Sequence, residues 1–151
     1  YIVDIDDEVI EISESNNSFL SREAISILSG IDLRVGYILY SGSLFVYPGY
    51  IIDIDSKLEN IGFLNSGGFN YGIYLSVDEN ITIDDYLIYD NNIQNIAANY
   101  SKIITDRVKI PQTVPSGLYH IGIIVNDDKK VIENNYSNNS EFIIKKITID
   151  K

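Results

Sequence analysis

Along most of the chain, hydrophobic residues alternate with polar ones or gather in short β-branched and aromatic runs, each bounded by Gly, Asn, Asp, Ser or Pro. Alternation of period two between turn-forming clusters predicts antiparallel strands, and no helical period of comparable length competes with it. From residue 31 onward the pattern predicts seven strands: 33–40, 50–60, 70–77, 86–90, 101–110, 118–126 and 141–149. In the second of them Ile52, Ile54 and Leu58 alternate with Asp53 and Asp55, as a strand with one buried face requires. The sixth is almost continuously apolar from Leu118 to Val125, which predicts a central strand. Periodicity does not decide segment 91–98, which is read as coil. Pro48-Gly49, Ser66-Gly67-Gly68 and Pro115-Ser116-Gly117 supply turn chemistry, with positive φ expected at Gly49, Gly62 and the Gly67-Gly68 pair. Strand number and spacing predict two packed sheets in an immunoglobulin-like sandwich spanning 31–149.

The segment before residue 31 carries the same signals, and its order is not new. Residues 1–27 align without a gap on residues 123–149: Ile2-Val3, Asp6, Val9-Ile10-Glu11, Ser15-Asn16-Asn17-Ser18, Ile25 and Ile27 return as Ile124-Val125, Asp128, Val131-Ile132-Glu133, Ser137-Asn138-Asn139-Ser140, Ile147 and Ile149. Repetition at a fixed offset is the mark of a tandem array of like units. Residues 1–28 are therefore expected to form the C-terminal hairpin of an incomplete upstream repeat, with strands at 1–6 and 19–28, and residues 31–149 a complete one. An isolated hairpin is marginal in water, so it is expected to bury its apolar face on something. Truncation or processing of the upstream strands, or edge pairing into a polymer, accounts for it better than donation of a strand to a like domain, because 31–149 supplies its own equivalents. Ser29-Gly30 leaves almost no linker, so successive units are expected to be closely coupled.

Composition narrows the function. Hydrophobic residues make up 45% of the 151, enough for a folded core and against disorder. The net charge of −11 repels phosphate backbones and anionic lipid, so nucleic-acid and membrane-surface partners are disfavoured and cations favoured. The absence of cysteine excludes disulfides, thiolate nucleophiles and cysteine zinc sites together. With no methionine either, Tyr1 is not a translational start, and removal of a leader or excision from a longer protein is expected. No stretch approaches the ~20 apolar residues of a membrane span.

The order of elements resembles that of CARDB, the cell-adhesion-related domain found in tandem in exported bacterial and archaeal surface proteins. The elements are Ile31-Asp32-Leu33, Tyr47-Pro48-Gly49, Glu59-Asn60-Ile61-Gly62, Ser66-Gly67, Tyr74-Leu75-Ser76, Pro115-Ser116-Gly117-Leu118-Tyr119, and Val131-Ile132-Glu133 followed by Ser137-Asn138-Asn139. The resemblance implies an immunoglobulin-like β-sandwich acting outside the cell as a spacer or adhesive module, without catalysis. The Asn138-Asn139 pair is expected to hold the turn into the last strand through side-chain bonds and left-handed backbone.

Candidate chemistry is sparse. His120, the sole histidine, stands between Tyr119 and Ile121 in an apolar strand, and no nucleophile elbow or phosphate-cradling loop is present. Asp78, Asn80, Thr82 and Asp84-Asp85 offer oxygens at alternating spacing, and Asn126-Asp127-Asp128 with Glu133 repeats the acids Asp4-Asp6-Asp7-Glu8 and Glu11. Calcium takes six to eight such oxygens. Asp78, Asn80, Asp84, Asp127 and Asp128 are thus candidate calcium ligands, although the EF-hand pattern fails at its glycine and at Tyr89, where its glutamate would stand. Solvated acidic loops are the commoner cause of such runs. Twelve tyrosines, with Tyr37, Tyr40, Tyr47 and Tyr50 around one corner, fit either a core edge or a sugar platform, and the absence of Trp favours the core. Asn16, Asn80, Asn99, Asn135 and Asn138 begin glycosylation sequons. The expected function is a non-enzymatic extracellular repeat, a stalk or a subunit of a surface filament or sheath, in contact with like repeats and needing no cofactor. The alternative is a glycan-binding module, with or without calcium.

Overall fold

The computed structural model describes residues 30–151, so the expected hairpin of 1–28 lies outside the described residues. The described residues form two facing sheets of antiparallel character. Strands β1 (Leu33–Leu39), β3 (Ile51–Asn60) and β6 (Tyr100–Lys109) make one sheet in the order β1-β3-β6. The other runs β2 (Phe45–Val46), β9 (Ile147–Ile149), β7 (Gly117–Val125), β4 (Phe69–Ser76) and β5 (Tyr86–Ile93), with β8 (Ser140–Phe142) also paired to β7.

Alternation decides which faces meet. Ile52, Ile54 and Leu58 of β3 point inward with Leu33, Val35 and Ile38 of β1, while Asp53 and Asp55 face solvent. They meet Tyr71, Ile73 and Leu75 of β4 and Ile121, Ile123 and Val125 of β7 in one hydrophobic cluster. β7 lies between β9 and β4, the central position its apolar run predicts.

Among the described residues seven strands are expected and nine form, for local reasons. The last predicted strand divides because Phe142 pairs with Gly122 while Ile147 pairs with Tyr119. The chain therefore takes two more residues than its partner between those points, and Ile144 and Lys145 are extruded to solvent. β2 is two residues long and pairs parallel to β9, too short to register as an alternation. Segment 91–98, read as coil, is strand as far as Ile93, since β5 continues its pairing with β4 to the Phe69–Ile93 position.

Polar side chains close the sandwich where hydrophobic packing cannot. Tyr71 of β4 donates its hydroxyl across the core to Asp106 of β6, at 3.0 Å from both carboxylate oxygens. Burial pushes the Asp106 carboxyl above its ordinary pKa and the Tyr71 hydroxyl well above its own. At one end Tyr119 reaches back to the carbonyl of Pro115 at 3.0 Å, the tyrosine corner of immunoglobulin-like sandwiches. At the other, buried Asn60 accepts from the Gly62 amide and donates to the Leu64 and Ile96 carbonyls, joining two loops. Gly62 is required there by close approach and not by φ: a Cβ would collide with the Gly30 carbonyl and lie 2.7 Å from the Asp32 amide nitrogen. Gly49 and Gly67 do adopt positive φ.

Removing one end of the cross-core bond leaves Asp106 buried with a partner lost. Tyr71→Phe is expected to lower stability by about 1–3 kcal/mol in urea unfolding, more than removal of an exposed hydroxyl such as that of Tyr100.

Candidate functional site

The repeated motif of 131–139 and the acidic loop of 77–85 come together on one flank of the sandwich. The link is Gly122 in β7, on whose bare Cα the side chain of Ile81 rests; a Cβ there would lie 2.7 Å from the Ile81 Cδ1. The β4–β5 loop is thereby folded back over the outer face of its own sheet. Between it and the β7–β8 connection is a cleft of about 240 Å³, lined among others by Thr82, Ile83, Asp127, Lys129, Tyr136 and Asn139.

Behind the cleft sits a buried carboxylate. Glu133 accepts from the side-chain amides of Asn126 at 2.5 Å and Asn139 at 2.7 Å with one oxygen, and from the Leu33 backbone amide at 2.6 Å with the other. Asn126 also donates to the Val131 carbonyl and accepts from its amide, while Tyr136 donates to the same carbonyl and receives the Glu133 amide. Asn138 bonds Asp32, and its carbonyl takes the Val35 amide. The Asn pair thus acts through its side chains, but on partners distant in sequence, Asp32 for Asn138 and Val125 with Glu133 for Asn139, and not on the neighbouring backbone expected. The left-handed backbone expected of it falls instead on Asn126 (φ 50°) and Lys129 (φ 53°), where the chain must reverse out of β7.

The candidate calcium ligands divide between the two loops. Asp78 caps its own turn by accepting from the Asn80 amide at 2.8 Å, and the Asp84 amide donates to the Thr82 hydroxyl. Asp127 accepts the Tyr74 hydroxyl at 2.8 Å, and Asp128 accepts from Asn70 and pairs with Lys130 at 2.7 Å. Among the described residues no three Asp, Glu or His side chains gather around a point where an ion could sit. The carboxylates of Asp78, Asp127 and Asp128 accept bonds that hold a turn or a strand end.

His120 is buried, with Nδ1 2.9 Å from the Ile143 carbonyl, a contact that makes this nitrogen the protonated donor, and its ring lies edge-on to Phe142. It secures the irregular passage between β8 and β9. Of the four corner tyrosines, Tyr47 and Tyr50 form an edge-on pair, with Tyr40 beside Tyr50 packed partly against the core; Tyr37 lies further along β1, opposite Lys57. Sequence reading did not single out Asp106 or Asn60 as buried polar closures. For Asp106 nothing in its alternating strand distinguishes it from an exposed acid, whereas the recurrence of Glu133 as Glu11 is a signal for an internal role.

Burial raises the pKa of Glu133 despite the three donors, and that of Asp106 likewise. Both groups bind protons more tightly folded than unfolded, so their contribution is full below the unfolded carboxylate pKa and is lost as pH rises through the raised folded value. Glu59 is lowered by Lys57 and Arg34, and Asp128 by Lys130, so their contributions are lost as pH falls through the lowered values. The urea midpoint is therefore expected to rise as pH drops from 7.5 to about 5 and to fall on further acidification. Glu133→Gln, which sets an amide donor against the Leu33 amide or its neighbours, is expected to lower the curve and flatten its neutral limb.

No sequence-family model and no curated protein sequence matches the chain. The fold, in contrast, matches solved structures. The chain is similar to the CARDB domain of a Pyrococcus furiosus protein, crystallised in complex with di-metal ions, at 18% identity and a TM-score of 0.57 over 82% of this chain and 97% of that one. A solution structure of the same domain gives a TM-score of 0.56. A domain of a candidate cell-surface protein from Methanosarcina acetivorans is similar at 16% identity and a TM-score of 0.54, over 80% of this chain and 93% of that domain. At these identities the likeness is one of fold: residues 30–151 form an immunoglobulin-like β-sandwich of the CARDB type.

Proposed function

We propose that this chain is a non-enzymatic extracellular repeat module, a stalk or a subunit of a surface filament or sheath built from like units. The observation that carries this reading is the kind of residue that recurs between 1–27 and 123–149. Glu133, Val131, Asn139, Val125, Ile147 and Ile149 are all buried, and each serves to close the sandwich. What is repeated is the means of folding a unit, as in a protein whose work is done by the number of units in line. The candidate cell-surface protein among the fold neighbours supports a place at the cell exterior. No helix among the described residues is long and apolar enough to cross a membrane.

The buried titratable groups support the same reading. Catalysis needs a perturbed acid, base or nucleophile within reach of a substrate. Here Asp106 faces Tyr71 inside the core, Glu133 is enclosed by its donors, and His120 is spent on a carbonyl.

Incubation of the full chain with chromogenic glycosides, esters and peptides is expected to give no turnover. A glycan array probed with and without calcium is expected to stay silent. Saturable binding to any glycan, or turnover abolished by one substitution, would overturn the module reading in favour of a ligand-binding or catalytic protein.

A further inference from the structure

Two apolar surfaces lie at opposite ends of the sandwich, one where the chain enters and one where it leaves. At the entering end Gly30 is fixed: its amide donates to the Asn134 side chain, and its carbonyl accepts from the Phe63 and Leu64 amides. Phe63 and Leu64 flank it so closely that a Cβ on Gly30 would meet both, yet their side chains are 65% and 50% exposed, and at the same end Tyr100, paired with Asn60, is 69% exposed. At the leaving end Ile149 is held between Gly117 and Val46, and the neighbouring Phe45 and Tyr47 are 75% and 60% exposed. Phe45, Val46, Tyr47, Asp150 and Lys151 share one shallow recess. Antiparallel pairing puts these ends at opposite poles, because β3 runs from Ile51 beside the second to Asn60 beside the first.

The repeat supplies the distance between them in an array. Ile27 is the counterpart of Ile149, and only Leu28 and Ser29 separate it from Gly30. Three residue steps span at most about 11 Å even when fully extended. The last strand of a preceding unit is thereby confined to the immediate neighbourhood of the fixed Gly30, and the Phe45-Tyr47 end of that unit, which adjoins its last strand, is brought against Phe63 and Leu64. Two exposed aromatic and aliphatic surfaces so confined bury each other at little further cost in entropy, since the tether has already brought them together.

We infer that the Phe63-Leu64 surface is the seat for the Phe45-Tyr47 end of a second copy of this unit, joined head to tail, and that this contact is the joint of the array. The inference rests on the repeat-module reading and adds its interface. Residues 1–28 align with 123–150 and so contain no counterpart of Phe45 or Tyr47, which lie earlier in the unit.

The test is the whole chain with residues 30–151 fused again after Lys151, so that Asp150-Lys151-Gly30 stands where Leu28-Ser29-Gly30 stands naturally. Phe45→Ser in the first unit and Phe63→Ser in the second are combined in a double-mutant cycle, read by urea unfolding with circular dichroism. Both positions are exposed, so each single variant is expected to fold. The two substitutions are expected to be coupled by about fivefold or more in the unfolding equilibrium constant. Small-angle scattering of the parent is expected to show one elongated particle of fixed length, and that of the double variant a broadened distribution of lengths. Additive substitutions, or a parent whose units reorient freely, would overturn the joint. If that chain still binds no glycan and turns nothing over, the module reading survives the loss of the joint; ligand binding or turnover would defeat the module reading whatever the cycle gives.

Discussion

The interaction on which the sandwich depends is the enclosure of Glu133. A carboxylate taken out of water is costly unless donors replace the water, and here three N–H groups from three places converge on it: Asn126 at the end of β7, Asn139 before β8, and the first amide of β1. The last of these matters most for architecture, since β1 belongs to one sheet and β7 and β8 to the other. One side chain thus fixes the distance between the sheets at the end where the chain enters. The left-handed turn at Asn126, the Val131 carbonyl shared by Asn126 and Tyr136, and the Asn138 carbonyl that takes the Val35 amide are consequences of bringing those donors to one carboxylate. The cluster is all-or-none in character, because loss of any donor leaves a buried charge less compensated.

Other polar bonds divide the remaining length of the sandwich among themselves. Tyr71 and Asp106 span the middle, Asn60 ties the loops beside Glu133, and Tyr119 closes the far corner on Pro115. A chain without cysteine has no covalent staple between its sheets, and these directional bonds set their spacing and register in its place. Hydrophobic burial, which brings Ile54, Leu58, Ile73 and Ile121 into one cluster, drives the sheets together without direction of its own. A hydroxyl that must find a carboxylate across the core supplies one.

The fold was legible because its signal is geometric. Alternation in 50–60 and the nearly continuous apolar run of 118–125 correspond to a half-exposed and a central strand, and both were readable without tertiary information. What escaped reading depended on partners distant in sequence. The two-residue β2 exists because β9 lies beside it, and the split of β8 from β9 comes from a mismatch in register with β7, invisible in the apolar pattern of 141–149. The acidic loops show the same limit. Asp127 and Asp128 look like a ligand pair in sequence, but their partners are Tyr74 and Asn70, more than fifty residues earlier, brought near by the pairing of β4 with β7. Glu133 was readable as repeated, and what its carboxylate holds was not.

The internal repeat works as a comparison made within one molecule. Where the copies agree, the structure mostly supplies a reason: Val125, Val131, Glu133, Asn139, Ile147 and Ile149 are buried, and Asn138 bridges to Asp32. Where the sequences disagree, as at Lys129-Lys130 against Asp7-Glu8, the charges reverse, and Lys129 and Lys130 are both exposed. Asp4 standing for Asn126 is the informative exception. An ionised aspartate has no hydrogen to donate, so the side-chain bond that Asn126 gives to Glu133 is one that the residue type at Asp4 does not offer. Ile132 recurs as Ile10 although it is exposed, and nothing within a unit explains it. The recurrence in sequence therefore follows mostly the positions that are buried or bonded in residues 30–151, and it lapses at exposed ones.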